Sequence, residues 1–112
     1  MPAGATDCHV HVMGPYARYP LAEQRAYTAP EAPLPVFLDM LRIMGLERAV
    51  IAHVSAHGTD LRVTLDAIRE IGDAARGTIM LTPSMTDADL KQFHAQGIRG
   101  IRPSAMTSPR KR

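Results

Sequence analysis

Two histidines separated by a single residue, His9 and His11, are the first side chains whose types and spacing suggest chemistry. They fall in residues 6–13, whose apolar pattern predicts a β-strand. Alternate residues of a strand point to the same side, so both imidazoles should face one place while Cys8 faces the other. Two converging imidazoles can hold a divalent metal, or can polarise a substrate carbonyl and move protons. The alternative is a half-exposed strand whose two polar residues do no chemistry.

Further polar residues follow the later predicted strands. Ser55 and His57 lie where the second strand opens into a loop, and Arg102 ends the fourth strand. Functional groups of parallel α/β folds gather at the carboxyl ends of strands, so these side chains are expected near the paired histidines. Ser55 and His57 could meet a substrate oxygen, or could form the turn that caps the next helix. Arg102 could hold a substrate carboxylate through two parallel hydrogen bonds, or could be solvated at a frayed strand end.

Three other residues are given supporting roles. His53 is interpreted as a core histidine that is hydrogen-bonded to the backbone. Asp7 shares a side with the paired histidines and could orient an imidazole. Cys8 is expected to be a small buried residue.

Strand-like and helix-like segments alternate along the chain. The apolar patterns predict strands at residues 6–13, 48–55, 78–83 and 98–102, and helices at about residues 35–44, 60–76 and 86–97. Repeated strand–helix units with short connections imply an α/β fold with a parallel sheet and right-handed crossovers. Two architectures remain open, a small open sandwich and the first half of a (β/α)8 barrel.

The connections and helix ends carry their own signals. Residues 14–35 contain five prolines, which exclude a regular helix and are typical of a lid or wall of a site. The first helix shows apolar residues at spacings near three, and Gly45 is a natural stop for it. In the third helix, Thr86 is followed three residues later by Asp89, which is close to a capping box. The positions that give the spacing of the first helix are Val36, Leu38, Leu41 and Met44.

Composition argues against several classes of function. Three of the 13 basic residues form the end of the chain at residues 110–112, and the remaining 10 are nearly matched by 11 acidic ones. A body without a basic stripe is not expected to bind nucleic acid. A single cysteine allows no internal disulfide, which fits a reducing compartment, and no stretch approaches the roughly 20 apolar residues that cross a bilayer. We therefore expect a cytoplasmic protein without a membrane partner, with one domain at residues 1–103 and a disordered basic tail at residues 104–112.

Four segments, taken in order, resemble the amidohydrolase superfamily, and within it the 2-pyrone-4,6-dicarboxylate hydrolase type. The first is residues 7–15, which read DCHVHVMGP. The others are Tyr27-Thr28 with Pro30, residues 55–60 (SAHGTD) and residues 97–102 (GIRGIR). The paired histidines alone are only moderately specific, whereas four elements in the same order are much more so.

The resemblance implies a (β/α)8 barrel hydrolase in which hydroxide opens a small carboxylate-bearing lactone. On this likeness, His9 and His11 belong to the reaction centre, while Ser55, His57 and Arg102 belong to the substrate pocket, with Arg102 holding a carboxylate. Many members of the superfamily bind a divalent metal such as zinc through such histidines, whereas the dicarboxylate-lactone branch is thought to work without one. Both possibilities remain open for this sequence.

The chain departs from that family in its length. A barrel of this kind takes about 250 residues and eight strands, whereas four strands are predicted here. The family's later histidine and its aspartate near the last strand, which would activate water, have no counterpart. We therefore expect a truncated lactone hydrolase that is active only when a second half completes it. The alternatives are a non-catalytic half-barrel or gene remnant that self-associates through its open sheet edges, and a metal-binding module.

Overall fold

The computed structural model describes residues 3–23, 30–58 and 60–102, with the side chain of Ser55 outside this part. Tyr27, Thr28, Thr59 and the tail predicted at residues 104–112 lie outside the described residues, so the domain boundary stays a prediction. Strands and helices alternate as the sequence predicts. In chain order they are β1 (Thr6–Val10), α1 (Leu34–Met44), β2 (Arg48–Ala52), a 3₁₀ turn (Ser55–His57), α2 (Arg62–Ile71), a second 3₁₀ turn (Gly72–Ala74), β3 (Ala75–Met80), α3 (Asp87–Ala95) and β4 (Ile98–Arg102).

The four strands form one sheet in the order β1-β2-β3-β4, and every neighbouring pair is parallel. Parallel neighbours need a crossover between them, and α1, α2 and α3 lie in the three crossovers. The predicted parallel α/β sheet is therefore confirmed. Within the described residues, β1 is bonded only to β2 and β4 only to β3, so the sheet has two open edges.

All three helices pack against the same face of the sheet. Ile51 of β2 and Ile79 of β3 are fully buried beneath them. Both share one hydrophobic core with Phe37 of α1 and Ile68 of α2, and Phe93 of α3 packs against that core. An open doubly wound sheet has helices on both faces, so this one-sided arrangement favours half of a barrel.

The predicted strands are displaced from the observed ones. β1 and β2 end three residues earlier than predicted, and β3 lies three residues earlier at both ends. The displacement of β3 has a packing cause, because Gly77 lies inside the strand and not at the end of a helix. A Cβ at Gly77 would lie 2.7 Å from Ile68 Cδ1 and 3.2 Å from the backbone oxygen of Ile51. The absence of a side chain lets α2 approach the sheet closely.

Substitution of Gly77 by valine should therefore lower stability. Gly77→Val is expected to cost about 3 kcal/mol in the free energy of unfolding, at the upper end of measured overpacking costs. Urea unfolding monitored by circular dichroism measures this loss. The matched control is Thr78→Val, which lies on the other face of β3 and keeps nearly the same side-chain volume. It should cost much less. Equal stability of the two variants would contradict the close approach of α2.

The buried side of α1 differs from the predicted one. Leu34, Phe37 and Leu41 are buried, whereas Val36 is 61% exposed and Met44 is 45% exposed. Apolar residues surround more than half of this helix, so their spacing alone did not identify the face that meets the sheet. Leu38, at 40% exposure, also lies outside the core, so the prediction was wrong for three of its four positions and right only for Leu41.

Other helix signals are confirmed. α1 ends at Gly45, whose φ of 72° is left-handed and suits a residue without a side chain. At the start of α3, the Asp89 backbone N–H donates to Thr86 Oγ1 at 3.1 Å, and the Thr86 N–H donates to Asp89 Oδ2 at 3.0 Å. This reciprocal pair is the predicted capping box. On α2, Ile68 is buried.

None of the helices in the described part of the chain is long and apolar enough to cross a membrane. The cytoplasmic location stays a prediction.

Candidate active site

The strand register determines which side chains lie on the face of the sheet away from the helices, here called the inner face. Ala52 of β2 pairs with Thr78 of β3, which in turn pairs with Gly100 of β4. These residues alternate with Ile51 and Ile79, which face the helices, so they lie on the inner face. In agreement, a Cβ on Gly100 would lie 2.7 Å from Thr78 Cγ2.

His9 and His11 also point to the inner face. Val10 between them pairs with Ile51 and packs against the core, and Val12 is buried. The two imidazole centroids lie 5.1 Å apart with their planes at 76°. His9 is exposed and His11 is half-buried. The structure therefore brings together the two side chains that the sequence pairs.

The ring of His11 is held in one orientation. Its Nδ1 lies 2.8 Å from the carbonyl oxygen of Ala52. A carbonyl only accepts, so Nδ1 donates this bond and carries the proton of the neutral ring. Nε2 then keeps a free lone pair, with which it can bind a metal, accept a proton or accept a hydrogen bond from water.

The donor set is too small for a complete metal site. Catalytic zinc sites take three protein ligands and structural ones four. Among the described residues, no group of three or more histidine, cysteine, aspartate or glutamate side chains could hold a metal ion. His9 and His11 are a pair of ligands that other residues would have to complete.

The neighbours of the histidine pair on β1 differ from expectation. Asp7 Oδ1 accepts a hydrogen bond from the backbone N–H of His9 at 3.2 Å, so in the structure it holds the strand and no imidazole. Cys8 is exposed, and the prediction that it is buried was wrong. The reason is its position, because β1 is an edge strand whose register is interrupted between Asp7 and Val10.

His57 lies beneath the long connection that follows β1. It is 2% exposed. Its Nε2 accepts a hydrogen bond from the Gly14 N–H at 3.3 Å, and its Nδ1 donates to the carbonyl oxygen of Pro20 at 3.2 Å. Both ring nitrogens are thus bonded to the backbone of residues 14–20, and Tyr16 contacts the ring edge at 5.8 Å between centroids. The imidazole fixes this connection over the carboxyl end of β2.

The turn that contains His57 leads into α2. Ser55–His57 form a 3₁₀ turn, and the helix begins at Arg62. The Asp60 carboxylate, two residues before the helix start, accepts a hydrogen bond from the Arg62 N–H at 3.2 Å. The side chain of Ser55 lies outside the described part, and its substrate contact stays a prediction.

His53 has the structural role that the sequence suggests. Its Nε2 donates to the carbonyl oxygen of Gly58 at 2.9 Å, and its Nδ1 accepts from Thr64 Oγ1 at 2.7 Å. Burial lowers the pKa of His53 from 6.5 to about 4, so the ring is neutral at neutral pH.

This lowered pKa predicts a loss of stability in acid. The unfolded chain takes up a proton at His53 near pH 6.5, whereas the folded chain takes it up only near pH 4, so stability is present above the first value and falls towards the second. The expected loss is about 3 kcal/mol across this window. Urea unfolding of the wild type and of His53→Gln between pH 7 and pH 4 measures it. The variant should lack this component, and parallel pH profiles would contradict the neutral buried ring.

Arg102 lies at the far side of the same sheet. It pairs with Met80, two residues beyond the Thr78–Gly100 pair, which places it on the inner face at the carboxyl end. The residue is half-buried, and its guanidinium makes no hydrogen bond or ion pair with any other described residue. Arg99 differs, because its Nη1 donates to the carbonyl oxygen of His94 on the helix side. Three strand spacings separate Arg102 from β1, or about 14 Å.

The sequence did not identify Tyr19 as a residue that positions the site. Its side chain is buried, and its hydroxyl donates to Asp66 Oδ2 at 2.5 Å. Arg69 forms an ion pair with the same carboxylate at 2.9 Å. Burial, followed by the bond to Asp66, raises the pKa of Tyr19. Tyr19, which is bonded to Asp66, and His57, which is bonded to Gly14 and Pro20, together anchor residues 14–20. Each of these bonds joins residues that are distant in sequence.

The amidohydrolase family profile matches residues 6–110. The chain belongs to this family. With four parallel strands and helices on one face, it forms roughly the first half of a (β/α)8 barrel.

Three relatives show which proteins of the family this chain is similar to. The chain is 40% identical over 102 residues to the 4-sulfomuconolactone hydrolase of Rhizobium radiobacter, covering 91% of this chain and 34% of that protein. It is 38% identical over 102 residues to the 2-pyrone-4,6-dicarboxylate hydrolase of Comamonas testosteroni, covering 91% and 33%. A solved structure with citric acid bound, described as a probable 2-pyrone-4,6-dicarboxylic acid hydrolase of Acinetobacter baumannii, superposes with a TM-score of 0.77 at 26% identity, covering 88% and 36%. The chain thus spans about a third of the length of the relatives it matches.

Proposed function

We propose that this chain supplies the amino-terminal part of the active site of a hydrolase that opens a small carboxylate-bearing lactone. The observation that carries the proposal is the common inner face, on which the His9–His11 pair and Arg102 lie at the carboxyl ends of their strands. The names of the relatives support a lactone as substrate.

Each of these side chains has a separate role in the proposed reaction. His11 Nε2 accepts a hydrogen bond from the attacking water, and His9 fixes the position of that water or of the ester carbonyl. The water oxygen bonds to the carbonyl carbon, the ring C–O bond breaks, and the ring oxygen takes up the proton that the water loses. Arg102 holds a carboxylate of the lactone through two parallel hydrogen bonds.

Ser55 and His57 complete the pocket in this proposal. The Ser55 hydroxyl contacts an oxygen of the lactone. His57 acts on the substrate through the wall that it holds, because both of its ring nitrogens are bonded to Gly14 and Pro20.

Ring opening of 2-pyrone-4,6-dicarboxylate and of 4-sulfomuconolactone, followed by absorbance, tests the proposal. The chain is assayed alone and as a completed barrel, in which it is joined to the carboxyl-terminal two thirds of the Rhizobium radiobacter relative. We expect ring opening by the completed barrel. If neither preparation opens either lactone, the proposed activity is wrong.

The role of Arg102 predicts a specific kinetic defect. Arg102→Lys keeps the charge but loses the two-pronged geometry, and it is expected to raise KM about tenfold with little change in kcat. Steady-state kinetics of the completed barrel measures this. Arg99→Lys is the matched control, since Arg99 contacts the end of α3. A fall in kcat at unchanged KM would contradict a carboxylate anchor.

A second candidate function is supported by the two open edges of the sheet. A half-barrel that presents unpaired strands can self-associate without catalysing a reaction. Light scattering over a range of concentrations tests this, and a monomer throughout that range would rule it out.

A further inference from the structure

We propose that two copies of this chain close into one eight-stranded barrel, in which β4 of each copy pairs with β1 of the other. Each of the two seams then combines residues of both copies. The barrel itself follows from the sheet edges, and only the catalytic use of the seams rests on the function proposed above.

The open edges specify what can cover them. In the described residues, β1 and β4 each have one hydrogen-bonded neighbour, so each presents a row of unpaired backbone groups. A partner that pairs with both edges at once must present two strand edges that run parallel to β1 and β4. A second copy offers them, because a two-fold axis along the barrel places β4 beside the partner's β1 twice.

The number of strands and the side of the helices allow this ring to close. Parallel strands with helices on one face close into barrels of eight strands. Four strands with all helices on one face make half of such a ring. Head-to-tail contacts that close after two copies give a dimer, whereas contacts that do not close give open polymers.

An exposed apolar flank of α1 lies beside the β1 edge. Val36 and Ile43 lie on one side of the helix and are 61% and 79% exposed, and Met40 beside them is half-buried against the core. Leu34 and Pro35 line a cavity of about 200 Å³ shared with α2, so α2 lies on another side of α1. The flank is therefore directed towards the open edge.

An apolar groove of about 410 Å³ lies beside the β4 edge. Its lining includes Leu90, Phe93, Ile98 and Ile101, and Ile101 is 51% exposed. In the closed dimer, this groove and the partner's α1 flank lie on the outer side of the same seam. Closure therefore brings together the two apolar patches that border the open edges.

Closure also shortens the candidate site. Within one copy, Arg102 is three strands away from His9 and His11, or about 14 Å. Across a seam, Arg102 and the histidine pair of the other copy are on adjacent strands, about 5 Å apart in the direction of the hydrogen bonds. The seam thus places Arg102 of one copy beside the imidazoles of the other copy, an arrangement here called the shared mouth.

Sedimentation equilibrium tests the dimer. The expected mass is twice the 12.2 kDa of one chain. Ile43→Glu and Ile101→Glu place a charge in the seam and should each weaken the dimer at least tenfold. Ala95→Glu, on the flank of α3 that faces α2, is the control and should leave the mass unchanged. A monomer at all concentrations, or polymers of increasing size, would overturn the closed dimer.

Cross-linking tests the seam without any activity. Cys8 is the only cysteine and is exposed on β1. Single cysteines at positions 99 to 102 of β4 should include at least one that forms a disulfide-linked dimer on mild oxidation. Removal of the native thiol by Cys8→Ser in the same background should abolish this dimer. If no position links to Cys8, the β4–β1 pairing is wrong.

Mixing of two variants tests the shared mouth. His9→Ala/His11→Ala and Arg102→Ala should each be inactive alone, whereas an equal mixture should recover about a quarter of the wild-type rate, because half of the dimers have one intact seam. No recovery from an active wild type would assign the site to a single copy and overturn the shared mouth. If the closed dimer forms but opens no lactone, the β4–β1 pairing stands and only the proposed activity is wrong.

Discussion

Replacement of His11 by alanine is expected to lower kcat for lactone opening by about 10²- to 10⁴-fold in the completed barrel, the range for loss of a positioned proton-transfer group. The bond from Nδ1 to the Ala52 carbonyl fixes the tautomer and leaves Nε2 as the acceptor for water. Alanine removes that acceptor and keeps the strand. Steady-state kinetics with 2-pyrone-4,6-dicarboxylate measures the change.

The control for this experiment is His94→Ala. His94 is an exposed histidine near the end of α3, and its backbone oxygen accepts hydrogen bonds from the Gly97 N–H and from Arg99. The control should retain the wild-type rate. A His11→Ala enzyme as active as this control would remove His11 from the reaction centre.

Replacement of His57 by alanine is expected to cost about 3 kcal/mol of stability, because it opens a buried space and leaves the Gly14 N–H and the Pro20 carbonyl without partners. Residues 14–20 should then become more accessible. Urea unfolding measures the stability, and trypsin cleavage after Arg18 measures the exposure of the connection. His57→Asn, which keeps one donor and one acceptor, should restore part of the loss.

The two interpretations of His57 lead to different results. If its ring serves the connection, stability and cleavage change together, and KM for the lactone in the completed barrel rises as a consequence. Normal stability and normal cleavage combined with a raised KM would instead assign the imidazole to direct contact with the substrate. The second outcome would contradict the bonds to Gly14 and Pro20.

The elements that could be predicted from sequence are those with local signals. Thr86 and Asp89 form the capping box because the two partners lie three residues apart. Gly45 ends α1 because the left-handed conformation there favours glycine. The convergence of His9 and His11 follows from the two-residue repeat of a strand, and it is present although the register of β1 is interrupted between Asp7 and Val10.

The elements that could not be predicted depend on contacts distant in sequence. The ring of His57 is bonded to residues 43 and 37 positions earlier in the chain, which no local pattern reveals. Gly77 suggests a break, yet it lies within β3 because Ile68 occupies the place of its side chain. On α1 the apolar residues exceed what one sheet can cover, so the sequence alone does not distinguish the core face from the exposed flank.

This excess of exposed apolar surface agrees with the observation that the chain matches only part of the family's barrel. The chain covers 34% of its Rhizobium radiobacter relative, and its exposed apolar residues include Ile101 of β4, an edge strand in the described part, and Val36 and Ile43 of α1. Val36, Ile43 and Ile101 therefore have a physical reason to be apolar, because a strand and its neighbours cover such positions in a closed barrel.

A nuclear magnetic resonance titration tests most directly whether the histidine pair and Arg102 serve one ligand. The chain is labelled with ¹⁵N in its imidazole and guanidinium groups, and 2-pyrone-4,6-dicarboxylate is added stepwise. We predict that the side-chain signals of His9, His11 and Arg102 shift along binding curves with one common Kd, while those of His94 and Arg99 stay unchanged. Shifts with different Kd values, or shifts at only one end of the sheet, would contradict a single binding face.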